Sequence, residues 1–428
     1  MSIKNIFLLL VGLVKAQTFL TSTLTNSRTP LPTSATSAEA PSYVDPAQIG
    51  TFNLSTVNNT NPADFAFLTR HEDELLPNRT TQIRHGSKLR RLHPGTPIEF
   101  SAAINGSIQD IDSFMYECGI AGLMIVKDGA IRLEKYQYGN MPSSLNVVQS
   151  VTKSFLTTAI GIAIKRKIFT LNAPVSEYVP ELAGTPYGPV LLQNLADMTA
   201  GVEPPNGTDV PDLFTDIYPR TDPEAVLDFF KTYQKVAEPG EAFSYHDENY
   251  YVLALSLTRA VKVPLEDWVT EHIWEPSGME YDGYMRTTGA HQVDGHGGLA
   301  ITLQDMARFG LFVLESFHGK TGPDVPKRWF DNIADATTST GVRAPGNNED
   351  VPDAGYQTGW WTMPRGEETY RLGDDRAFAA MGTYDQAIYI IPNINAVIAM
   401  QSSYPVHYPG LFWYGQEFAT AAALALKK

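Results

Sequence analysis

Apolar residues run almost without interruption from Ile120 to Val126, and a second β-patterned run follows from Ala130 to Tyr136, with Asp128-Gly129 between them. This predicts an antiparallel hairpin, because a tight two-residue turn needs left-handed backbone that Asp and Gly tolerate. From Phe155 to Ile164 the chain is apolar nearly all round, the signature of a helix buried on every side. Toward the other end, Gln386–Pro392 and Ala396–Gln401 read as apolar strands joined around Asn393-Ile394-Asn395, and Gln416–Lys427 reads as an Ala/Leu-rich helix. Between about residues 150 and 350 the pattern is mostly helical, broken by Pro- and Gly-rich loops such as Glu203–Gly207. The expected fold class is α+β: one antiparallel sheet built from both chain ends and flanked by helices, with a helical lobe at about 165–350 inserted and the active site in the cleft between them. No internal repeat interrupts this plan.

The N-terminus has a different character. Lys4 precedes the apolar core Ile6–Val14, and Val14-Lys15-Ala16 offers a small-residue cleavage site, so residues 1–16 read as a secretory signal peptide. The core is well short of the roughly 20 residues of a spanning helix, and no later segment comes closer. Residues 17–45, rich in Ser, Thr, Ala and Pro, read as a lead-in, and residues 46–428 as a single catalytic domain. Five Asn-x-Ser/Thr sequons, at Asn53, Asn58, Asn78, Asn105 and Asn206, fit an N-glycosylated, extracellular protein.

Candidate chemistry lies just ahead of the buried helix. In Val147–Phe155, Ser150 and Lys153 stand one helical turn apart and therefore on one face. A serine hydroxyl is a weak nucleophile unless a neighbour takes its proton, and a buried lysine can do so if its pKa is lowered. Ser150 would also sit at a helix N-terminus, where developing negative charge is favoured. Alone, the pattern S-x-x-K is weak evidence, since a chain of 428 residues holds about one by chance.

Charge and composition narrow the partners. A net charge of -15 argues against nucleic acid and anionic membrane surfaces as partners, and a small or neutral substrate fits better. The single cysteine, Cys118, excludes an intramolecular disulfide, and its apolar surroundings make it a packing residue. The histidines form no His-Glu-x-x-His, and His291 and His296 lie in a Gly-rich stretch without a ligand set, so no metal or organic cofactor is expected. A Ser-His-Asp triad through His246 lacks the Gly-x-Ser-x-Gly elbow. No feature sets an oligomeric state.

Four further segments, in order, give the chain a family likeness: Leu171–Leu182, Leu192–Gly201, Glu238–Tyr245 and Gly297–Gly310. With the strand pair and Ser150-x-x-Lys153, they resemble the serine β-lactamase and penicillin-binding superfamily, in its class C-like esterase and aminohexanoate-dimer hydrolase branch. The resemblance implies a β-lactamase-like fold over about residues 119–402 and catalysis by Ser150, Lys153 and Tyr245, the last as proton relay to the leaving group. The family's Tyr-x-Asn becomes Tyr245-His246-Asp247, an Asp that would keep Lys153 protonated, and Asn249 is the other amide within reach. The family's cationic Lys/His-Thr/Ser-Gly strand falls near Ala377–Gly382, where there is no lysine or histidine. The resemblance further implies an oxyanion hole from the Ser150 amide and one near Ala380, with Asp247, Ala380 and Gly382 facing substrate, and Asp385 replaces the glycine of the family's G-x-x-G-Q. Trp360, Trp361 and Tyr384 are aromatics expected near the cleft. The expected activity is a secreted serine hydrolase acting on an ester or amide. The alternatives are a β-lactamase or D-amino peptidase, an acyltransferase, and an inactive binding protein of the same fold.

Overall fold

The predicted Asp-Gly hairpin forms and lies toward one edge of the protein's main sheet. Strands Ile120–Lys127 and Ala130–Tyr136 pair antiparallel, and Asp128 and Gly129 both take positive φ between them (53° and 78°). The computed structural model describes residues 62–207, 209–335, 354–366, 368–404 and 410–428. The signal segment, the lead-in, the sequons at Asn53 and Asn58 and the stretch 336–353 of the expected lobe lie outside these residues.

The main sheet has eight strands, in the order Gly355–Gln357, Trp360–Thr362, Phe378–Gly382, Gln386–Ile391, Ala396–Ser402, Ile120–Lys127, Ala130–Tyr136 and His93–Pro94. All neighbours are antiparallel except the short His93–Pro94 strand. The late strand Ala396–Ser402 pairs with the early strand Ile120–Lys127, Val397 opposite Val126, so the sheet does unite both ends of the chain. Its central strands are buried on both faces, which explains why they read as unbroken apolar runs rather than alternating ones.

Helices cover each face. Helix Leu303–Phe317 packs so closely that a Cβ on Gly310 would lie 2.5 Å from Val397 and 3.1 Å from Ile388. On the other face, helices Ile111–Glu117 and Gly410–Leu426 meet through the stacked rings of Phe114 and Phe418, 4.1 Å apart. The predicted C-terminal helix thus begins earlier than its Ala/Leu run, at Gly410. The buried helix after Ser150 spans Val151–Lys165, with Val151 to Ala163 all buried, as its all-round apolarity predicts.

The intervening region is less purely helical than its pattern suggests. It contributes strands Gly283–Arg286 and Ala300–Ile301 to a second sheet with Thr80–Ile83 and Asn146–Val147, and strands Val202–Glu203 and Gln234–Lys235 form a small pair. Two-residue strands carry too few positions to show an alternation. This second sheet matters for the site, because Asn146–Val147 delivers the chain directly into Ser150. Among the described residues no helix is long and apolar enough to cross a membrane.

Candidate active site

Ser150 is the N-cap of helix Val151–Lys165, and its side chain caps no backbone amide, which leaves Oγ free to face the cleft. The turn into it is tight. Gln149 takes φ 50°, a left-handed conformation that costs a non-glycine residue of order 1–3 kcal/mol. Strained backbone beside a candidate nucleophile fixes where its hydroxyl points.

Lys153, one turn along, is 1% exposed, and its ammonium meets three acceptors: Ser150 Oγ at 2.8 Å, Asp247 Oδ1 at 2.6 Å and the His296 carbonyl at 2.9 Å. Burial by itself favours a neutral amine, yet the Asp247 carboxylate and Tyr245 outweigh it and hold the group above the ordinary lysine value. Burial likewise opposes charge on Asp247, but the Lys153 ammonium keeps its carboxyl below the usual range. Lys153 is therefore an ammonium in the resting site. This is the state expected of an Asp at position 247: the lysine donates.

Tyr245 closes the triangle. The Lys153 ammonium sits 4.9 Å from its ring centre, and Lys153 and Ser150 both act on its phenol. Burial pushes the phenol above its ordinary value, while Lys153 and Ser150 pull the other way, so it is neutral at rest. Trp361 stacks on the ring at 6.0 Å with 11° between planes. Trp360, its chain neighbour, lies in the core against Phe309 and Phe378, because adjacent strand residues face opposite sides. Tyr384 is also no cleft residue: it is buried edge-on against Phe65.

The oxyanion expectation becomes specific at Gly382. A Cβ there would lie 2.4 Å from the Val148 carbonyl oxygen and 2.9 Å from the Ser150 nitrogen, so only glycine lets the end of strand Phe378–Gly382 come this close. Among the described residues the Ser150 amide donates to no backbone carbonyl. Ala380 lies two residues back on the same strand, about 7 Å away, buried and paired with Ile388. The whole strand, Phe-Ala-Ala-Met-Gly, carries no charge.

Other expected residues go elsewhere. Asp247 is the counter-ion of Lys153 rather than a group offered to substrate. Asn249 is fully buried, accepts from the Tyr187 hydroxyl at 3.3 Å and faces Met198, away from Lys153. His246 bonds Ser244 and faces Glu203 and Glu248, so the site contains no Ser-His-Asp triad. Cys118 is buried in the core.

Sequence reasoning missed His296. Its carbonyl holds Lys153, and its ring lies between Asp247 and Asp294, with Nδ1 3.8 Å from Asp247 and Nε2 3.6 Å from Asp294. Burial lowers its pKa, so the ring is neutral. A backbone acceptor leaves no sequence signature. The Gly297-Gly298 pair after it was the available clue to a sharp turn.

With this geometry in hand, comparison with known proteins is informative. The profile of the beta-lactamase family matches residues 108–409. A 6-aminohexanoate-dimer hydrolase of Paenarthrobacter ureafaciens is 24% identical over 343 residues, 78% of this chain and 83% of its own. Among solved structures, a Bacillus anthracis protein assigned provisionally as a 6-aminohexanoate-dimer hydrolase superposes with a TM-score of 0.71 at 22% identity, covering 87% of this chain and 97% of its own. A class C beta lactamase from Rhodobacter sphaeroides superposes with a TM-score of 0.52 at 17% identity, covering 73% and 97%.

Proposed function

The chain belongs to the beta-lactamase family, and from that premise we propose that it is a serine hydrolase cleaving short, neutral esters or amides through an acyl-enzyme on Ser150. The observation that carries this reading is the contact of Ser150 Oγ with the Lys153 ammonium at 2.8 Å, with the Tyr245 ring centre 4.9 Å from that ammonium.

With Lys153 charged and Tyr245 neutral, neither group is a free base. A concerted relay needs none. As Ser150 Oγ bonds to the substrate carbonyl carbon, its proton passes to the Tyr245 oxygen while the Tyr245 proton passes to the leaving alcohol or amine, and Tyr245 ends as it began. The Lys153 charge steadies the oxygen losing its proton, and the Ser150 amide is offered to the carbonyl oxygen as negative charge builds there. In deacylation the oxygen of water bonds to the acyl carbon, its proton passes to Tyr245 as the Tyr245 proton passes to Ser150 Oγ, and the bond from Oγ to the acyl carbon breaks to release the acid.

Two features support a neutral substrate. The strand against Ser150 is uncharged, and all three ammonium protons of Lys153 already have acceptors, leaving none for a substrate carboxylate. The test is the ratio of kcat/KM for p-nitrophenyl butyrate to that for nitrocefin, with a linear 6-aminohexanoate dimer as the amide. A ratio above one supports the esterase reading, and a ratio below one assigns a β-lactamase or peptidase. No labelling of Ser150 by a fluorophosphonate probe would mean an inactive fold.

We further propose that the protein is secreted and N-glycosylated, a reading supported by the signal-like residues 1–16 and the five sequons. Asn78, Asn105 and Asn206 are exposed, as glycan acceptors must be. A mobility shift on endoglycosidase treatment of the secreted protein checks this.

A further inference from the structure

Between the two site residues Tyr245 and Asp247 lies His246, which the relay above does not use. Its backbone is extended (φ -130°, ψ 121°), so consecutive side chains alternate: Tyr245 and Asp247 turn toward Lys153, and His246 turns the other way. There it is 8% exposed and surrounded by polar groups from three directions. Nε2 lies 2.9 Å from Ser244 Oγ and 3.6 Å from Glu203 Oε1, on the small strand pair, and Nδ1 lies 3.8 Å from Glu248 Oε2, on the helix that follows. Those carboxylates are themselves held. Ser244 donates to Glu203 at 3.3 Å, and the Tyr233 hydroxyl donates to Glu248 at 2.9 Å.

We propose that His246 is a positioning residue, clamped between Glu203 and Glu248, that holds its neighbours Tyr245 and Asp247 in register against Lys153. The inference rests on the hydrolase reading. An imidazolium serves this clamp best, because it can donate from both nitrogens at once. Burial favours the neutral ring, but Glu203, Glu248 and also Asp247 raise its pKa above the ordinary histidine value, and Glu203 is lowered in turn by His246. A charge clamp of this kind weakens as pH rises through the raised histidine pKa. Lys153 and Tyr245 both titrate above the usual lysine and phenol values, so a loss of activity at neutral to mildly alkaline pH belongs to neither of them.

The experiment is the pH dependence of kcat and KM for p-nitrophenyl butyrate in wild type, Glu203→Gln and His246→Gln. Wild-type kcat should fall as pH rises above the ordinary histidine range. In Glu203→Gln that fall should move to lower pH, because the imidazolium has lost a carboxylate. In His246→Gln it should vanish, with kcat lowered about 10-fold throughout and KM little changed, as expected for misplaced rather than missing groups. If His246→Gln does not fold, the Glu203→Gln profile decides. Superimposable wild-type and Glu203→Gln profiles, or full kcat in His246→Gln, overturn the clamp and leave the hydrolase reading intact. A wild type inactive on every ester and amide overturns both.

Discussion

At Tyr245 a single oxygen separates a relay from an inert ring. Tyr245→Phe keeps the stack on Trp361 and the ring beside Lys153, so kcat should fall by roughly 10²- to 10⁴-fold with thermal stability little changed. Retention of full kcat would reassign the relay. Asp247→Asn tests the charge state of Lys153. Without the carboxylate, burial drives the lysine pKa down, so the ammonium that steadies Ser150 Oγ is lost at lower pH and kcat of the variant should fall earlier with rising pH than that of wild type. An Asp247→Asn profile parallel to wild type would show that Asp247 does not govern the lysine. Ser150, Lys153, Tyr245 and Asp247 were all legible, because each is fixed by short-range spacing or by a local motif. The His296 carbonyl was not, since any residue can present one and only the fold decides which does. Trp361 was half legible: strand alternation requires that Trp360 and Trp361 face opposite ways, but only the pairing of Trp361 with Ala379 decides which faces Tyr245.

Among the elements, strand Phe378–Gly382 is the one whose position the chemistry depends on most directly. Gly382→Ala places a methyl group against backbone at Val148 and Ser150, and backbone cannot yield as a flexible side chain can. The strand end must retreat, and a kcat loss of about 10²- to 10³-fold is expected, the size seen when an oxyanion donor is removed. Comparing kcat with the melting temperature separates this from unfolding. Helix Leu303–Phe317 shows what one of the family-like segments is for. Thr302 caps it by accepting from the Asp305 amide, and the Asp305 carboxylate accepts from the Thr302 hydroxyl at 2.9 Å, from Arg308 at 2.6 Å and from the Glu280 amide at 2.8 Å. Thr302→Ala should cost about 1 kcal/mol as a lost cap. Asp305→Ala removes one of the two carboxylates that hold the buried Arg308, Glu280 being the other, and should cost about 2–3 kcal/mol. Denaturant titration would rank the two. The segment Gly297–Gly310 therefore resembles the family for structural reasons as much as catalytic ones, which is why it located the fold well and the substrate poorly.

For the molecule as a whole, the joint between the main sheet and the C-terminal helix sets a pH limit. Asp385 is fully buried, neither carboxylate oxygen has a partner among the described residues, and Gly415 of helix Gly410–Leu426 leaves no room above it. Burial pushes its carboxyl up to about 8. A raised carboxyl binds its proton more tightly folded than unfolded, so stability should decline as pH rises from the ordinary carboxylate range and level off above about 8. Asp385→Asn keeps a side chain suited to the positive φ of 63° and removes the charge, so its gain in melting temperature should be larger at pH 9 than at pH 5. An equal gain at both would remove Asp385 as the cause. The pairing of Val397 with Val126 reaches further, into how the chain is made. The first hairpin leaves the ribosome with one edge of its apolar strand open, and its partner emerges roughly 270 residues later. Throughout that interval Ile120–Lys127 is an unsatisfied sticky edge, the kind that seeds aggregation. Biosynthesis should therefore depend on chaperones that shield this strand, and nascent chains stalled before Ala396 should be recovered bound to them, whereas chains extended past Ser402 should be released.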